Sequence, residues 1–237
     1  MKTSLAERVA QIDWEAAAES LSEQSFAALP RILSAEECAE LVACYRSPEL
    51  FRSRIDMAKF RFGRGEYQYF DYPLPVVVEE LRRTLYPPLA RIANAWAGAL
   101  EVQARFPDSF SSLLDLCHGS GQIRPTPLML HYIVGDFNCL HQDVYGEIAF
   151  PLQVVFFLSQ PGKDYSGGEF LLLEQAPRAQ TKGRALLQQQ GEALVITTRH
   201  RPAQGKRGAY RVSVRHGVSP VTVGERWTLG VIFHDAK

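Results

Sequence analysis

Residues 128–143 read LMLHYIVGDFNCLHQD, two runs of mainly apolar side chains on either side of Gly135-Asp136. A glycine beside an aspartate between two such runs is typical of a tight turn. The segment therefore predicts consecutive strands over residues 128–134 and 139–144. His141 and Asp143 lie two positions apart in the second strand. Because alternate side chains of a strand leave the same face of a sheet, the pair is predicted to share one surface.

The strand pattern continues to the end of the chain, with glycine and proline residues between the segments. The predicted strands cover residues 128–134, 139–144, 152–159, 168–174, 184–189, 193–198, 209–216 and 226–233. Eight short strands with this punctuation are typical of a double-sheet jelly roll, also called a double-stranded β-helix. The fold class is therefore predicted to be mainly β with helices (α+β).

The last predicted strand has two different faces. Arg226, Thr228 and Gly230 share one of them. The other face carries the large apolar side chains of Trp227, Leu229, Val231 and Phe233. We expect the polar and small residues to line a cavity and the apolar ones to pack against helices.

The segment before residue 121 is predicted to be mainly helical. Ser34 and Glu37 form a capping box that begins one helix. Val77, Leu81 and Leu85 have helical spacing, and Pro87-Pro88 is predicted to interrupt that helix. We therefore expect one domain over residues 1–237, with an N-terminal helical layer (1–120) and a jelly-roll core (121–237).

Composition is ordinary for a globular protein, and the formal net charge is zero. The charge is unevenly distributed, however, because residues 175–224 contain nine basic residues and one acidic residue. The four cysteines form no C-x-x-C motif and no obvious disulfide framework. No apolar stretch approaches the ~20 residues of a membrane helix. These features favour a cytoplasmic protein that does not associate with a membrane.

One set of residues indicates chemistry. His216 lies 75 residues after His141, and Arg226 follows it by ten. Two histidines and one carboxylate, here Asp143, can form the facial triad of a non-haem Fe(II) oxygenase. An always-charged guanidinium close by suits the far carboxylate of a dicarboxylate co-substrate, and Thr228 adds a hydroxyl on the same face. The alternative interpretation is a set of ordinary core or surface polar residues.

This order of residues resembles the 2-oxoglutarate/Fe(II)-dependent oxygenase superfamily. The resemblance is carried by residues 128–143, by Gly167-Gly168-Glu169-Phe170 and by residues 216–226 (HGVSPVTVGER). It implies a single catalytic domain that acts as a dioxygenase, an oxidoreductase that uses Fe(II), 2-oxoglutarate and O₂.

The resemblance also implies roles for individual residues. The metal and catalytic residues would be His141, Asp143 and His216, and the residues that bind 2-oxoglutarate would be Arg226, Thr228, Tyr132 and Asn138. For Tyr132 the alternative is a half-buried strand tyrosine, and for Asn138 an ordinary turn asparagine.

A fuller resemblance is to a bacterial family of uncharacterised oxygenases. Counterparts of its segments are residues 60–72 (FRFGRGEYQYFDY), 124–127 (RPTP), 145–147 (YGE) and 233–235 (FHD), so the match covers nearly the whole chain. Members carry the label of prolyl hydroxylase in some cases and of nucleic-acid-modifying oxygenase in others. The resemblance therefore implies the reaction class and not the substrate.

Two basic stretches are candidates for substrate binding. Residues 52–72 interleave arginines with aromatic rings, a composition typical of single-strand nucleic-acid sites, and residues 199–215 form a basic loop before His216. The candidate contacts are Arg61, Arg64, Tyr67, Tyr69, Arg201, Lys206 and Arg207. The alternatives are core packing for the rings and a solvated loop for the cations.

The sequence thus favours a dioxygenase that hydroxylates or oxidatively demethylates a substrate, with nucleic acid as the first candidate. A protein hydroxylase similar to the prolyl 4-hydroxylases, acting on a proline-containing protein, is the second. A small metabolite is a third possible substrate. A non-catalytic jelly-roll binding module is the alternative from a different functional class.

Overall fold

The computed structural model describes residues 3–143, 146–206 and 208–237. Its helices are α1 (Leu5–Ala10), α2 (Trp14–Gln24), α3 (Ala35–Cys44), α4 (Met57–Phe60), α5 (Val76–Ala99) and α6 (Phe110–Gly119), with a 3-10 turn at Pro48–Leu50. Its first strands are β1 (Phe26–Leu29), β2 (Phe51–Asp56), β3 (Gly63–Arg64), β4 (Glu66–Phe70), β5 (Leu128–Tyr132), β6 (Phe137–His141), β7 (Leu152–Phe157) and β8 (Tyr165–Gly167). The later strands are β9 (Phe170–Gln175), β10 (Lys182–Leu186), β11 (Ala193–Thr197), β12 (His200–Gly205), β13 (Gly208–Val218), β14 (Val221–Gly224) and β15 (Arg226–Val231).

The strands form two large antiparallel sheets. The larger sheet has the order β1-β11-β7-β15-β5-β4-β2, and the smaller one has the order β10-β9-β13-β6-β3 with β12 also paired to β13. A separate two-stranded ribbon joins β14 to β8. The prediction of a mainly β fold with helices is therefore confirmed.

The two sheets pack face to face. Val155 of β7 and Ile196 of β11 belong to the larger sheet, and they share a buried apolar cluster with Phe170 and Leu172 of β9 and Val214 of β13. Because side chains alternate along a strand, the neighbouring residues of the larger sheet point away from this cluster. Side chains of both sheets therefore line the space between them.

The outer face of the larger sheet carries the helices. Leu81, Leu85 and Leu89 of α5 share the main apolar core with Phe156 of β7 and Leu229 of β15. Arg226, Thr228 and Gly230 of β15 line a cavity on the other side of that sheet. The two predicted faces of this strand are therefore confirmed. Among the described residues, no helix is both long and apolar enough to cross a lipid bilayer.

The N-terminal part differs from the prediction in two ways. Strands β1, β2 and β4 lie there and extend the larger sheet, whereas β3 pairs with the edge of β6. The predicted interruption at Pro87-Pro88 is wrong, because α5 continues through both prolines. A proline inside a helix costs ~3 kcal/mol, whereas each fully buried leucine contributes ~1.5–3 kcal/mol. The apolar face of α5 therefore outweighs the missing helical hydrogen bonds.

The capping box at Ser34 and Glu37 is confirmed.

A buried arginine holds the end of β15 against α5. Arg82 is fully buried, and its Nη2 lies 2.8 Å from Asp235 Oδ1. Its guanidinium also donates to the carbonyls of Ile232 and Phe233 and to the hydroxyl of Tyr72. This network fixes the chain that follows β15, and with it the strand that carries Arg226.

Candidate active site

Two histidines that are distant in sequence are direct neighbours across two strands. Residue His216 of β13 lies opposite His141 of β6 in the antiparallel register. Their ring centroids are 4.3 Å apart. The 75-residue separation is thus closed by strand pairing, because both side chains leave the same face of the smaller sheet.

Asp143 completes the cluster from the position just beyond β6. Its Oδ1 lies 3.5 Å from His141 Nε2, and its Oδ2 lies 3.2 Å from His216 Nε2. Gln153 Nε2 donates to Oδ2 at 2.6 Å. Burial raises the pKa of Asp143, but the neighbouring His216 and His141 side chains and the Gln153 donor lower it more, so that the pKa lies far below its usual range. The carboxylate is therefore ionised at neutral pH.

The histidines are oriented by their surroundings. The Cys139 carbonyl accepts a hydrogen bond from His141 Nδ1 at 2.8 Å, which leaves the Nε2 lone pair facing Asp143. Burial lowers the pKa of His141, and the proximity of His216 lowers it further, which favours the neutral imidazole of His141. The ring of His216 stacks on Phe170 at 5.6 Å. Neutral imidazole and ionised carboxylate are the ligand forms that divalent transition metals require.

The cluster has dimensions suitable for one metal ion. One ligand atom from each of His141, Asp143 and His216 lies within 4.8 Å of the others. Two ligands at right angles, each ~2.1 Å from one metal, would be ~3 Å apart. The closest ligand-atom contacts in the cluster are only slightly longer, and the cluster opens into a cavity.

On the opposite side of the cavity, the larger sheet contributes a second polar group. Arg226 of β15 is 1% exposed and lies opposite Tyr132 of β5 in the strand register. In the described part of the chain, Arg226 Nε and Nη2 and the hydroxyls of Tyr132 and Tyr165 are buried without a hydrogen-bond partner. Burial raises the pKa of Tyr132 to about 12, so its hydroxyl remains a donor. Unpartnered buried donors around a cation are suited to an anionic ligand.

A cavity of about 390 Å³ joins the two groups. Its lining includes all of the residues predicted to hold metal or co-substrate, namely His141, Asp143, His216, Arg226, Thr228, Tyr132 and Asn138. The two histidines lie on the smaller sheet, Asp143 lies just after its strand β6, and the arginine lies on the larger sheet. The site therefore requires that the two sheets face each other.

The predicted substrate residues divide into two groups. Arg61, Tyr67 and Tyr69 line the cavity. Arg64 is exposed outside the lining, 3.8 Å from Asp136. Lys206 is exposed at the turn between β12 and β13 and does not line the cavity either. Arg207 lies outside the described residues.

The prediction that Arg201 faces substrate is wrong. Its side chain is buried, and its Nη2 lies 2.6 Å from Glu174 Oε1. It also donates to Ser25 and to the carbonyls of Ser22 and Glu23 at the end of α2. Arg201 is buried because a carboxylate and the carbonyls at the end of a helix together satisfy its guanidinium. This part of the basic segment therefore has a structural role and holds the N-terminal helix α2.

Two residues of the site were not predicted from the sequence. Gln153 holds Asp143, and Tyr165 lies with its ring centroid 6.0 Å from the Arg226 guanidinium. Gln153 is a polar residue within the otherwise apolar strand β7, which was a usable signal. Tyr165 has no such signal, because its position depends on the ribbon that joins β8 to β14.

A family model described as "Oxygenase, catalysing oxidative methylation of damaged DNA" (Oxygenase-NA) matches residues 65–236, well over half of the chain. The chain belongs to the Oxygenase-NA family. An uncharacterised protein of Mycobacterium tuberculosis is 52% identical to it over 173 residues, which are 73% of this chain and 74% of the relative. The resemblance to the 2-oxoglutarate/Fe(II)-dependent oxygenases is thereby confirmed.

Solved structures share the fold of this Oxygenase-NA family member at low sequence identity. A prolyl-4-hydroxylase from Pseudomonas putida is 16% identical, with a TM-score of 0.54 over 93% of this chain and 98% of its own. A non-heme alpha ketoglutarate dependent epimerase from nogalamycin biosynthesis is 14% identical, with a TM-score of 0.58 over 94% of this chain and 82% of its own. Both similarities concern the fold.

We expect that Gln153 positions the Asp143 carboxylate. In Gln153→Leu the donor is lost while a similar volume stays buried, so Fe(II) affinity should fall by about 10–100-fold. Anaerobic titration with Fe(II) measures the affinity of the variant and of the wild type. The matched control is Gln68→Leu, because Gln68 is also buried, donates to the Tyr45 carbonyl and lies outside the cavity. Equal Fe(II) affinity of the two variants would show that Gln153 does not orient the ligand.

Proposed function

We propose that this protein is an Fe(II)- and 2-oxoglutarate-dependent dioxygenase whose iron ligands are His141, Asp143 and His216. The observation that carries the proposal is one cavity with two complementary groups. A His-Asp-His cluster faces it from the smaller sheet, and the buried Arg226, with unpartnered donor atoms, faces it from the larger sheet.

Strand topology supports a jelly roll as the scaffold. The first, third, sixth and eighth predicted strands are β5, β7, β11 and β15, which are adjacent in the larger sheet in the order six-three-eight-one. The second, fourth, fifth and seventh are β6, β9, β10 and β13, which are adjacent in the smaller sheet in the order five-four-seven-two. Consecutive strands therefore alternate between facing sheets almost throughout, as in a double-sheet jelly roll.

The donor set fits iron. Two imidazoles and one carboxylate are the ligand set of non-haem Fe(II) oxygenases, and all three side chains line the cavity. Iron held by His141, Asp143 and His216 would supply, with 2-oxoglutarate, the chemistry of O₂ activation, in which one oxygen atom would enter succinate as CO₂ is released and the other would enter a substrate C–H bond as a hydroxyl. The protein orients His141 through Cys139 and Asp143 through Gln153, and it keeps the ligands largely buried.

The pocket around Arg226 fits a dicarboxylate. In this proposal the guanidinium binds the carboxylate that is distal to the metal, and the Tyr132 and Tyr165 hydroxyls donate to the same group. Thr228 lies on the same face of β15 and lines the cavity. Asn138 lines it on the metal side. The ligand would thereby satisfy donors that are otherwise buried and unpaired.

Nucleic acid is the substrate that we propose. Support comes from the family description, which names damaged DNA, and from Arg61, Tyr67 and Tyr69 in the lining of the cavity. In this interpretation the product is a hydroxylated base, or a demethylated one when the hydroxylated carbon is a methyl group on nitrogen. A proline-containing protein is the second candidate, and its support is limited to the sequence resemblance.

Two measurements on the wild-type protein test the reaction class. Anaerobic addition of Fe(II) and 2-oxoglutarate should produce the weak visible absorption band of the metal–keto acid chelate. In air the same mixture should release succinate even without a substrate. A non-catalytic binding module would show neither signal, and that result would refute the proposed function.

The substrate is tested by stimulation of succinate release. Panels of single-stranded DNA, single-stranded RNA and proline-containing peptides are compared at several salt concentrations. Nucleic-acid binding should weaken steeply as salt rises, because bound phosphates release counterions. Stimulation by peptides alone, without salt-sensitive oligonucleotide binding, would favour the protein hydroxylase.

A further inference from the structure

A short turn beside the cavity presents two exposed aromatic rings. Residues 57–65, here called the rim turn, comprise α4, the two-residue strand β3 and the residues that connect them to each other and to β4. Phe60 is 55% exposed and Phe62 is 48% exposed. The two rings are stacked, with centroids 5.6 Å apart and planes inclined by 19°. Adjacent exposed rings of this kind are uncommon on a protein surface that contacts only water.

The rim turn is attached to the strand that carries His141. Gly63 pairs with Asn138 of β6, and the Phe62 carbonyl accepts from the Cys139 N–H at 2.8 Å. A Cβ on Gly63 would lie 2.2 Å from the Phe137 carbonyl oxygen, so only glycine permits this close approach. The position of Phe62 relative to the candidate metal ligands is therefore fixed by backbone contacts.

Backbone conformation directs the residue between the two rings. Arg61 ends α4 with φ 60° and ψ 28°, in the left-handed region that non-glycine residues rarely adopt. Arg61 is exposed and lines the cavity together with Phe62. The turn thus places one cation and one ring at the mouth of the cavity.

The charges around the rim turn distinguish Arg61 from its neighbours. Lys59 lies 3.9 Å from Asp56, Arg64 lies 3.8 Å from Asp136, and each of these cations is close to a carboxylate. Arg61 forms no ion pair with any residue that the structure describes. A free guanidinium next to a free aromatic face is suited to a phosphate that is linked to a planar base.

We propose that Phe60, Arg61 and Phe62 bind the nucleotide that flanks the reacting one in a single-stranded nucleic acid. The flanking base stacks on Phe62, which Phe60 supports from behind, and Arg61 binds the adjacent phosphate. This inference rests on the proposed function, because the reacting nucleotide is the one that enters the cavity. A base inside a duplex has no free face for such stacking, so the rim turn selects unpaired strands.

Binding of a fluorescent twelve-nucleotide oligo(dT) to the Fe(II)-loaded protein tests the proposal. The double variant Phe60→Leu/Phe62→Leu keeps apolar bulk but removes both rings, and it should weaken binding by about fivefold to about a hundredfold. Arg61→Asn removes the charge, and asparagine tolerates the left-handed conformation. It should reduce the slope of log affinity against log salt by about 0.7, which corresponds to one phosphate contact.

The matched control is Arg178→Asn. Arg178 is also an exposed arginine with φ 60°, and it lies outside the cavity lining. The Arg178→Asn variant should bind oligo(dT) with the affinity and the salt slope of the wild type. Thermal unfolding of all variants checks that the exposed substitutions leave the fold intact.

The possible outcomes separate this proposal from the proposed function. Loss of oligo(dT) binding in the rim-turn variants but not in Arg178→Asn supports the proposal. Wild-type binding by all three variants overturns it, whether or not the wild type releases succinate. Absence of oligo(dT) binding by the wild type also overturns it, and succinate release would then show that the dioxygenase assignment still stands.

Discussion

His141→Ala is expected to abolish both the chelate absorption band and succinate release. In the proposed site His141 is one of three iron ligands, and even residues that only support such ligands change metal affinity by about 10–100-fold. We therefore expect Fe(II) affinity to fall by more than about a hundredfold. Anaerobic Fe(II) titration and succinate quantification measure the two effects.

His141 is the informative position for this test because its side chain is the least buried of the three. Its side chain is 35% exposed, against 8% for His216, so the substitution removes little core packing. The control is His118→Gln, since His118 contacts Asp235 on the helical side and does not line the cavity. Wild-type Fe(II) affinity in His141→Ala would exclude this residue from the metal site.

Arg226→Met is expected to weaken co-substrate binding without destabilising the protein. The loss of a buried partner of a charged group costs ~2–5 kcal/mol, so 2-oxoglutarate should bind about 30-fold to several thousandfold more weakly. Fe(II) affinity should stay near the wild-type value. Without ligand, the variant should be as stable as the wild type or up to a few kcal/mol more stable, because an incompletely partnered buried cation is replaced by an apolar chain.

A second buried arginine provides the matched control. Arg82 is as inaccessible as Arg226, but it is bonded to Asp235 and to the carbonyls of Ile232 and Phe233. Arg82→Met should therefore destabilise the protein by ~3–5 kcal/mol, because it leaves the Asp235 carboxylate buried without its cation. Urea unfolding of both variants, with and without 2-oxoglutarate, measures the contrast. An equal loss of stability in Arg226→Met, or a matching loss of Fe(II) binding, would show that Arg226 has a structural role.

The local pattern of the sequence determined much of the strand layout. Alternation along residues 226–233 correctly divided β15 into a cavity face and a core face, because side-chain direction in a strand has a period of two. The spacing of His141 and Asp143 likewise predicted that they share a surface. The sequence also indicates Arg226 as the cation that a dicarboxylate needs. These are inferences about one or two neighbouring strands, and local geometry suffices for them.

Some positions could be assigned only from the tertiary structure. Arg201 belongs to a basic segment, and its acidic partner Glu174 lies just outside that segment in the sequence. The two meet because β12 and β9 both pair with β13, and their contact withdraws the arginine from solvent. No local pattern encodes such a pairing. The continuity of α5 through Pro87 and Pro88 could not be predicted from local pattern either. It depends on how much apolar surface the helix buries against the sheet.

The residues that support the candidate active site could be identified only from long-range packing. The sequence by itself determined which side chains are chemically able to bind a metal and a dicarboxylate. The tertiary structure decided that Gln153 holds Asp143, that Tyr165 lies beside Arg226 and that the rim turn lies next to His141. The physical reason is that a ligand-binding residue is identified by its own chemistry, whereas a supporting residue is identified only by what it touches. Those contacts form when strands far apart in the chain are paired and the two sheets are packed.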